Sequence, residues 1–166
     1  MLFNIGEIFV YGASGICRVQ DICVRDCGTG KREYYVLQPV YDERSTVYIP
    51  TDSEKLSSHM RSLLSEKEVY EIINAMPAKG FDWIQNDKER GERFRSLLEG
   101  GSRSDIVNLI STLHRRKTEL AERGKKLRSS DEIIMQRAER LLYGEFAWVL
   151  GIKPGEVVDF IKAHTK

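Results

Sequence analysis

The sequence predicts an α+β protein in two parts, a small N-terminal β-barrel followed by a compact C-terminal bundle of about five helices. Up to Pro50 the apolar residues fall in short β-branched and aromatic runs separated by glycine turns. Beyond Pro50 they recur at helical spacing, opened by capping signals and closed by glycine or proline. With 166 residues, 41% of them apolar and 31% charged, the chain has the composition of one globular domain or two small ones. The boundary is placed after residue 60, giving 1–60 to the β part and 61–166 to the helices.

The β part opens with Phe3 to Tyr11, is broken between Gly12 and Gly15, and resumes from Ile16 to Val24. Cys27-Gly28-Thr29-Gly30-Lys31 is a turn, and Tyr34-Tyr35-Val36-Leu37 and Thr46-Val47-Tyr48-Ile49 are two further strands. Short strands with short turns in so small a region favour a barrel, because a closed or nearly closed sheet leaves few open edges. Tyr11-Gly12-Ala13-Ser14-Gly15 resembles a dinucleotide-binding glycine loop, but Arg18 stands at the third glycine position and Val19 to Val24 is β-like where a helix is required. These glycines are expected to serve a tight turn with positive φ.

In the helical part, Ser65-Glu66-Lys67-Glu68 is a capping box opening a helix that Pro77 stops, with Val69, Ile72, Ile73 and Met76 on one side. Residues 77–80 are the hinge to a second helix that runs to Gly100-Gly101. Ser102 or Ser104 starts a third, with Ile106, Leu109, Ile110, Leu113 and Leu120 at helical spacing, ending near Gly124. Ser129-Ser130-Asp131-Glu132 reads as another capping box before a long helix closed by Gly151, and Pro154 begins the last.

The chemistry centres on the stretch from Gly80 to Gly101. It opens Gly80-Phe81-Asp82-Trp83-Ile84 and continues with Lys88, Arg90, Arg93 and Arg95, which sets one of only two tryptophans among four basic side chains. A flat apolar side chain beside arginines suits a protein that grips phosphates while pressing a wedge against bases. It equally suits a helix docking its first turn on a core. A helix already running through Phe81 places Trp83 on nearly the same face as Phe94 and Leu97, which favours burial. With Asn86 as N-cap and Glu89 at N3, Trp83 falls in the preceding turn and projects outward. Trp148, in Phe146-Ala147-Trp148-Val149-Leu150, is expected in the core.

Lys and Arg against Asp and Glu number 9 to 11 over residues 1–80, 17 to 14 over residues 81–166, and 12 to 6 between Lys88 and Arg128. The local excess suggests a polyanion partner, although solvated helix faces produce similar runs. Lys88, Arg90 and Arg93 are candidates for phosphates flanking a wedge. Arg115, Arg116 and Lys117, with Lys125, Lys126 and Arg128, form a second cluster that extends the track. Each phosphate contact adds about −0.9 to the salt slope of binding and carries no sequence preference.

Other classes find little support. Cys17, Cys23 and Cys27 match neither a disulfide framework nor zinc-ligand spacing and are expected as reduced thiols. His59, His114 and His164 are scattered and the serines lack a nucleophile-elbow context, so no enzyme, metal, cofactor or small-molecule ligand is expected. No apolar run approaches the roughly 18 residues of a membrane span, and Met1-Leu2-Phe3-Asn4 lacks the charged and apolar regions of a leader. The expectation is a cytoplasmic monomer without membrane contact.

The pattern Phe3-x-x-Gly6-Glu7-x-Phe9-Val10-Tyr11-x-x-x-Gly15, then Tyr34-Tyr35-Val36-Leu37, then Val47-Tyr48-Ile49-Pro50, then Arg61, resembles the CarD/CdnL family of bacterial transcription regulators. The N-terminal module of that family is similar to the polymerase-binding module of the transcription-repair coupling factor. The likeness extends over nearly the whole chain, since a helical bundle with a basic, tryptophan-bearing helix follows the β module. It implies a Tudor-like barrel that binds the β subunit of RNA polymerase by pairing a strand edge, with Arg25, Val47 and Tyr48 facing the polymerase. Tyr48 stands where some members carry a basic residue. The resemblance further implies a bundle that contacts promoter DNA at the upstream edge of the melted region. There Trp83 would enter the minor groove and stabilise the open complex.

Overall fold

The computed structural model describes residues 3–165; Met1 and Leu2, read above for a leader, and Lys166 lie outside it. The chain divides into two compact units, Met1–Leu63 and Leu64–Lys166. The division falls beyond the predicted one because a short helix, α1 (Glu54–His59), and a two-residue strand, β5 (Met60–Arg61), return to the first unit.

The first unit is a five-stranded antiparallel sheet. Its longer strands are β1 (Ile8–Tyr11), β2 (Gly15–Asp26), β3 (Lys31–Pro39) and β4 (Val47–Pro50), and the order is β4-β3-β2-β1-β5. The barrel expected from the sequence does not close as a hydrogen-bonded ring: β4 and β5 are the two ends of an open sheet. Gly12 (φ 46°) and Gly15 (φ 73°) bracket a 3₁₀ turn that hands β1 to β2, with Tyr11 paired to Gly15. The glycine run is therefore a hairpin turn between two strands, with no helix following it as a phosphate loop requires. Between Val19 and Asp21 the β2–β3 register slips by one, leaving Gln20 as the extra residue of a bulge. Cys17 and Val19 point into the core before it; Ile22 does so after it, while Asp21, Cys23 and Arg25 are turned to the other face.

That core is Phe9, Cys17, Val19, Tyr35, Leu37, Ile49 and Leu56, with Phe3, Tyr11, Ile22, Val47 and Met60 packed against it. Phe3 stacks on Phe9 at 4.6 Å, and its backbone N–H donates to the Tyr35 hydroxyl at 3.2 Å, so the buried phenol keeps a polar partner. All three cysteines are free, and burial pushes the Cys17 thiol up to about 12.

The second unit holds five α-helices: α2 (Glu66–Asn74), α3 (Asp87–Gly100), α4 (Arg103–Glu122), α5 (Ser129–Leu150) and α6 (Val157–His164). Ser65 caps α2 by accepting from Glu68 N (3.1 Å), and the Glu68 carboxylate accepts from Ser65 N (2.7 Å). Ser102 and Asp105 repeat this at α4. Gly151 ends α5 in the left-handed conformation. Helices α4 and α5 run antiparallel: Arg103 meets Glu145 near one end, and His114 with Glu139 and Lys117 with Glu132 follow toward the turn. Their buried faces, Ile106, Leu109, Ile110 and Leu113 against Ile134, Ala138, Leu141 and Phe146, form the centre of the unit with Phe94, Leu97 and Leu98 of α3.

Two expected helix starts are corrected. α3 does not run from the 77–80 hinge; it starts at Asp87, because Asn86 supplies the cap by accepting from Glu89 N at 2.9 Å. α5 starts at Ser129 with Arg128 at the N-cap position and no side-chain cap. Glu132, the N3 carboxylate of the expected capping box, instead pairs with Lys117 at 3.2 Å, and Asp131 beside it is turned inward to a buried arginine.

Candidate interaction surfaces

Alternation along the strands builds one face of the first unit. Register pairs Asp21 with Val36 and Val36 with Tyr48, so these side chains share the face opposite the core. Gln20, Asp21, Cys23, Val24, Arg25, Val36 and Tyr48 line a shallow depression there. The Arg25 guanidinium lies 4.0 Å from the centre of the Tyr48 ring, at cation–π distance. Tyr48 is 42% exposed and Val24 60% exposed. Of the three polymerase-facing residues implied by the resemblance, Arg25 and Tyr48 are brought together on this face, whereas the Val47 side chain packs against the core. β4, which carries Val47 and Tyr48, is an edge strand. Cys23 joins this face because the bulge at Gln20 resets the alternation, which leaves no mark in the residue types.

In the second unit, Trp83 lies in a non-helical arc between α2 and α3. It is half-buried and packs edge-on against Phe94 at 6.1 Å. Two guanidinium groups sit over its ring, Arg90 at 4.5 Å and Arg116 at 5.2 Å. Side chains of α3 and α4 take up backbone groups of the arc. Arg90 Nη1 donates to Ile84 O (2.9 Å) on one side of Trp83, and on the other Arg115 donates to Lys79 O (2.9 Å) and Phe81 O (2.7 Å).

The basic candidates separate by environment. Arg90 is corrected: it is 2% exposed, forks onto Asp131 through Nε (3.0 Å) and Nη2 (2.8 Å), and also reaches Asp87 (2.8 Å). A guanidinium so enclosed braces the interior and does not reach a phosphate. Arg116 is half-buried against Trp83, with Glu119 at 3.6 Å. Arg115 is exposed but tied to the arc. Lys117 pairs with Glu132 at 3.2 Å, and Arg128 with Asp87. Lys88, Arg93, Lys125 and Lys126 are exposed and have no ion-pair partner among the described residues. Trp148 is half-buried rather than enclosed.

The described residues hold no cluster of His, Cys, Asp or Glu that could bind a metal ion, and none of their helices is long and apolar enough to cross a membrane. An antiparallel sheet with an exposed edge strand and an aromatic and basic outer face is a surface suited to strand addition by a protein partner. Comparison with known families makes this specific: residues 3–64 match the CarD-like/TRCF RID domain. The first unit therefore carries a CarD-like/TRCF RID domain, a domain that indicates an RNA polymerase partner. The match stops where the second unit begins. No curated protein matches the chain.

Proposed function

We propose that this protein is a non-enzymatic transcription regulator in which the first unit docks on the β subunit of RNA polymerase and the helical unit holds upstream promoter DNA. In this reading β4 offers its free edge for strand pairing, as a Tudor-like module does, and the Arg25–Tyr48 pair lies beside it as a recognition feature. Lys88 and Arg93, with Lys125 and Lys126, contact phosphates, and Trp83 acts as the minor-groove wedge that keeps melted DNA from closing. The mechanism is differential binding: contacts made better to melted than to closed DNA shift that equilibrium by the difference in affinity. The observation that carries the DNA half is the half-buried Trp83, held in a braced arc that leads directly into the helix displaying Lys88 and Arg93.

The test is the lifetime of open promoter complexes formed by bacterial RNA polymerase alone, with the protein, and with its folded Trp83→Ala variant. The protein lengthens the lifetime and the variant does not. Equal lengthening by both removes Trp83 from the mechanism. A second reading, an adaptor that recruits polymerase without touching DNA, is favoured by the two guanidinium groups over the Trp83 ring. It requires stabilisation that barely changes with salt, where phosphate contacts require a steep dependence.

A further inference from the structure

One face of α4 is devoted to the arc before Trp83. Asn108 Oδ1 accepts from Gly80 N (3.0 Å), Ser111 Oγ donates to Ala78 O (2.6 Å), Thr112 Oγ1 accepts from Phe81 N (2.7 Å), and Arg115 donates to Lys79 O and Phe81 O. These residues fall at the i, i+3, i+4 and i+7 positions of a helix and so present one stripe. The stripe continues to Arg116, whose guanidinium lies over the Trp83 ring. Thr112 is 1% exposed and its hydroxyl donates to Asn108 O at 2.7 Å, which leaves an Oγ1 lone pair to accept from Phe81 N. The fit is close: a Cβ on Gly80, which has φ +83°, would lie 2.9 Å from Thr112 Oγ1.

We propose that this α4 stripe is the mount of Trp83, and that Asn108, Thr112 and Arg115 are positioning residues that fix where the indole stands before DNA arrives. The functional half of the proposal rests on the wedge reading of Trp83. A wedge on an unbraced loop would have to be ordered at the moment of insertion, at a cost to binding, whereas a mounted one is already ordered. Thr112, Asn108 and Arg115 act through the backbone of residues 79–81 and need not touch DNA themselves.

The experiment uses the full chain in a Trp148→Phe background, where Trp83 is the sole tryptophan, with Thr112→Val, Thr112→Ser and Arg115→Met. Three quantities are read: acrylamide quenching of Trp83 fluorescence, open-complex lifetime, and thermal midpoint. Losing one neutral hydrogen bond shifts a local equilibrium by about fivefold. Thr112→Val is therefore expected to raise quenching and to cut the lifetime advantage over Trp83→Ala by about that factor, and Arg115→Met, which loses two bonds from a charged donor, by at least as much. Thr112→Ser, which keeps the hydroxyl, restores both. Quenching and lifetime unchanged in both Thr112→Val and Arg115→Met overturn the mount. So does an equal loss in Thr112→Ser and Thr112→Val that follows only the thermal midpoint. If Thr112→Val fails to fold, Arg115→Met decides, because that side chain is exposed. If Trp83→Ala itself leaves the lifetime intact, the wedge reading falls, and the quenching result alone keeps or removes the mount.

Discussion

Replacing Asp131 by Leu tests the energetics of the helical unit at its least tolerant point. Arg90 and Asp131 are 2% and 3% exposed, and their fork of 3.0 and 2.8 Å joins α3 to α5. Removing one partner of such a pair costs about 3–5 kcal/mol, because the remaining charge is left buried and uncompensated. Arg90 keeps Asp87 at 2.8 Å and the Ile84 carbonyl at 2.9 Å, which places the expected cost at the lower end, about 3 kcal/mol. For a unit of about 100 residues this lowers the thermal midpoint by roughly 12 °C or more. The double variant Arg90→Met with Asp131→Leu exchanges the pair for apolar groups and is expected to be more stable than the single variant, since no buried charge is left uncompensated, the part not recovered being the Arg90 hydrogen bond to Ile84 O. Thermal and urea unfolding of the full chain, followed at the helical circular-dichroism band, give both numbers. A single variant within about 1 kcal/mol of the parent, or a double variant no more stable than the single, refutes the reasoning.

Gly80→Ala puts a side chain at φ +83° and 2.9 Å from Thr112 Oγ1, so it destabilises the arc by about 1–3 kcal/mol and raises acrylamide quenching of Trp83; parental quenching would contradict this. Arg25→Ala and Tyr48→Ala each weaken RNA polymerase binding by about fivefold or more in a titration, whereas Val47→Ala mainly lowers thermal stability, because its side chain faces the core. Lys88→Ala and Arg93→Ala each reduce the salt slope of promoter-complex stabilisation by about 0.9, and Arg90→Met, lacking phosphate contact, leaves the slope unchanged. Exposed Cys27 is alkylated rapidly in the native protein and buried Cys17 is not. Because the Cys17 thiol titrates near 12 folded and near 9.0 unfolded, ionisation favours the unfolded chain above pH 9, and the stability of the first unit falls as pH rises from there toward 12.

The helices after Pro50 were legible where local chemistry decides them. Ser65 with Glu68, and Gly151 after Leu150, act within one turn of their own backbone, so residue type alone identifies the boundary. The α5 start was misread because Ser129 and Glu132 fit the capping box by type, whereas Glu132 pairs with Lys117 of α4 and Asp131 beside it is drawn to Arg90, 41 residues away in sequence. The same pair explains why Arg90 was placed among the phosphate contacts: by type it belongs with Lys88 and Arg93, and only burial separates them. On the sheet, the β-branched and aromatic runs marked the strands, but the Gln20 bulge, α1 and the two-residue β5 carry no periodic signal of their own. Of the two registers open for Trp83, the sequence contained the deciding residue, Asn86; what it did not contain was the set of side chains from α3 and α4 that closes over the ring.

Those side chains constrain how a wedge would work here. Withdrawing Trp83 from its site gives up cation–π contacts with Arg90 and Arg116, worth about 0.5–2 kcal/mol each. It also gives up the edge contact with Phe94, worth about 0.5–1.5 kcal/mol. A mechanism in which the indole swings out must recover about 1.5–5.5 kcal/mol from DNA before it gains anything. A mechanism in which the ring acts in place, offering its exposed part to the edge of the bubble, meets no such cost and uses Arg116 on the ring as the cation nearest the DNA. The in-place mechanism therefore requires Arg116→Met to shorten the open-complex lifetime. Swinging out requires the opposite, because removing Arg116 releases the ring, and a lengthened lifetime in that variant would eliminate the in-place mechanism.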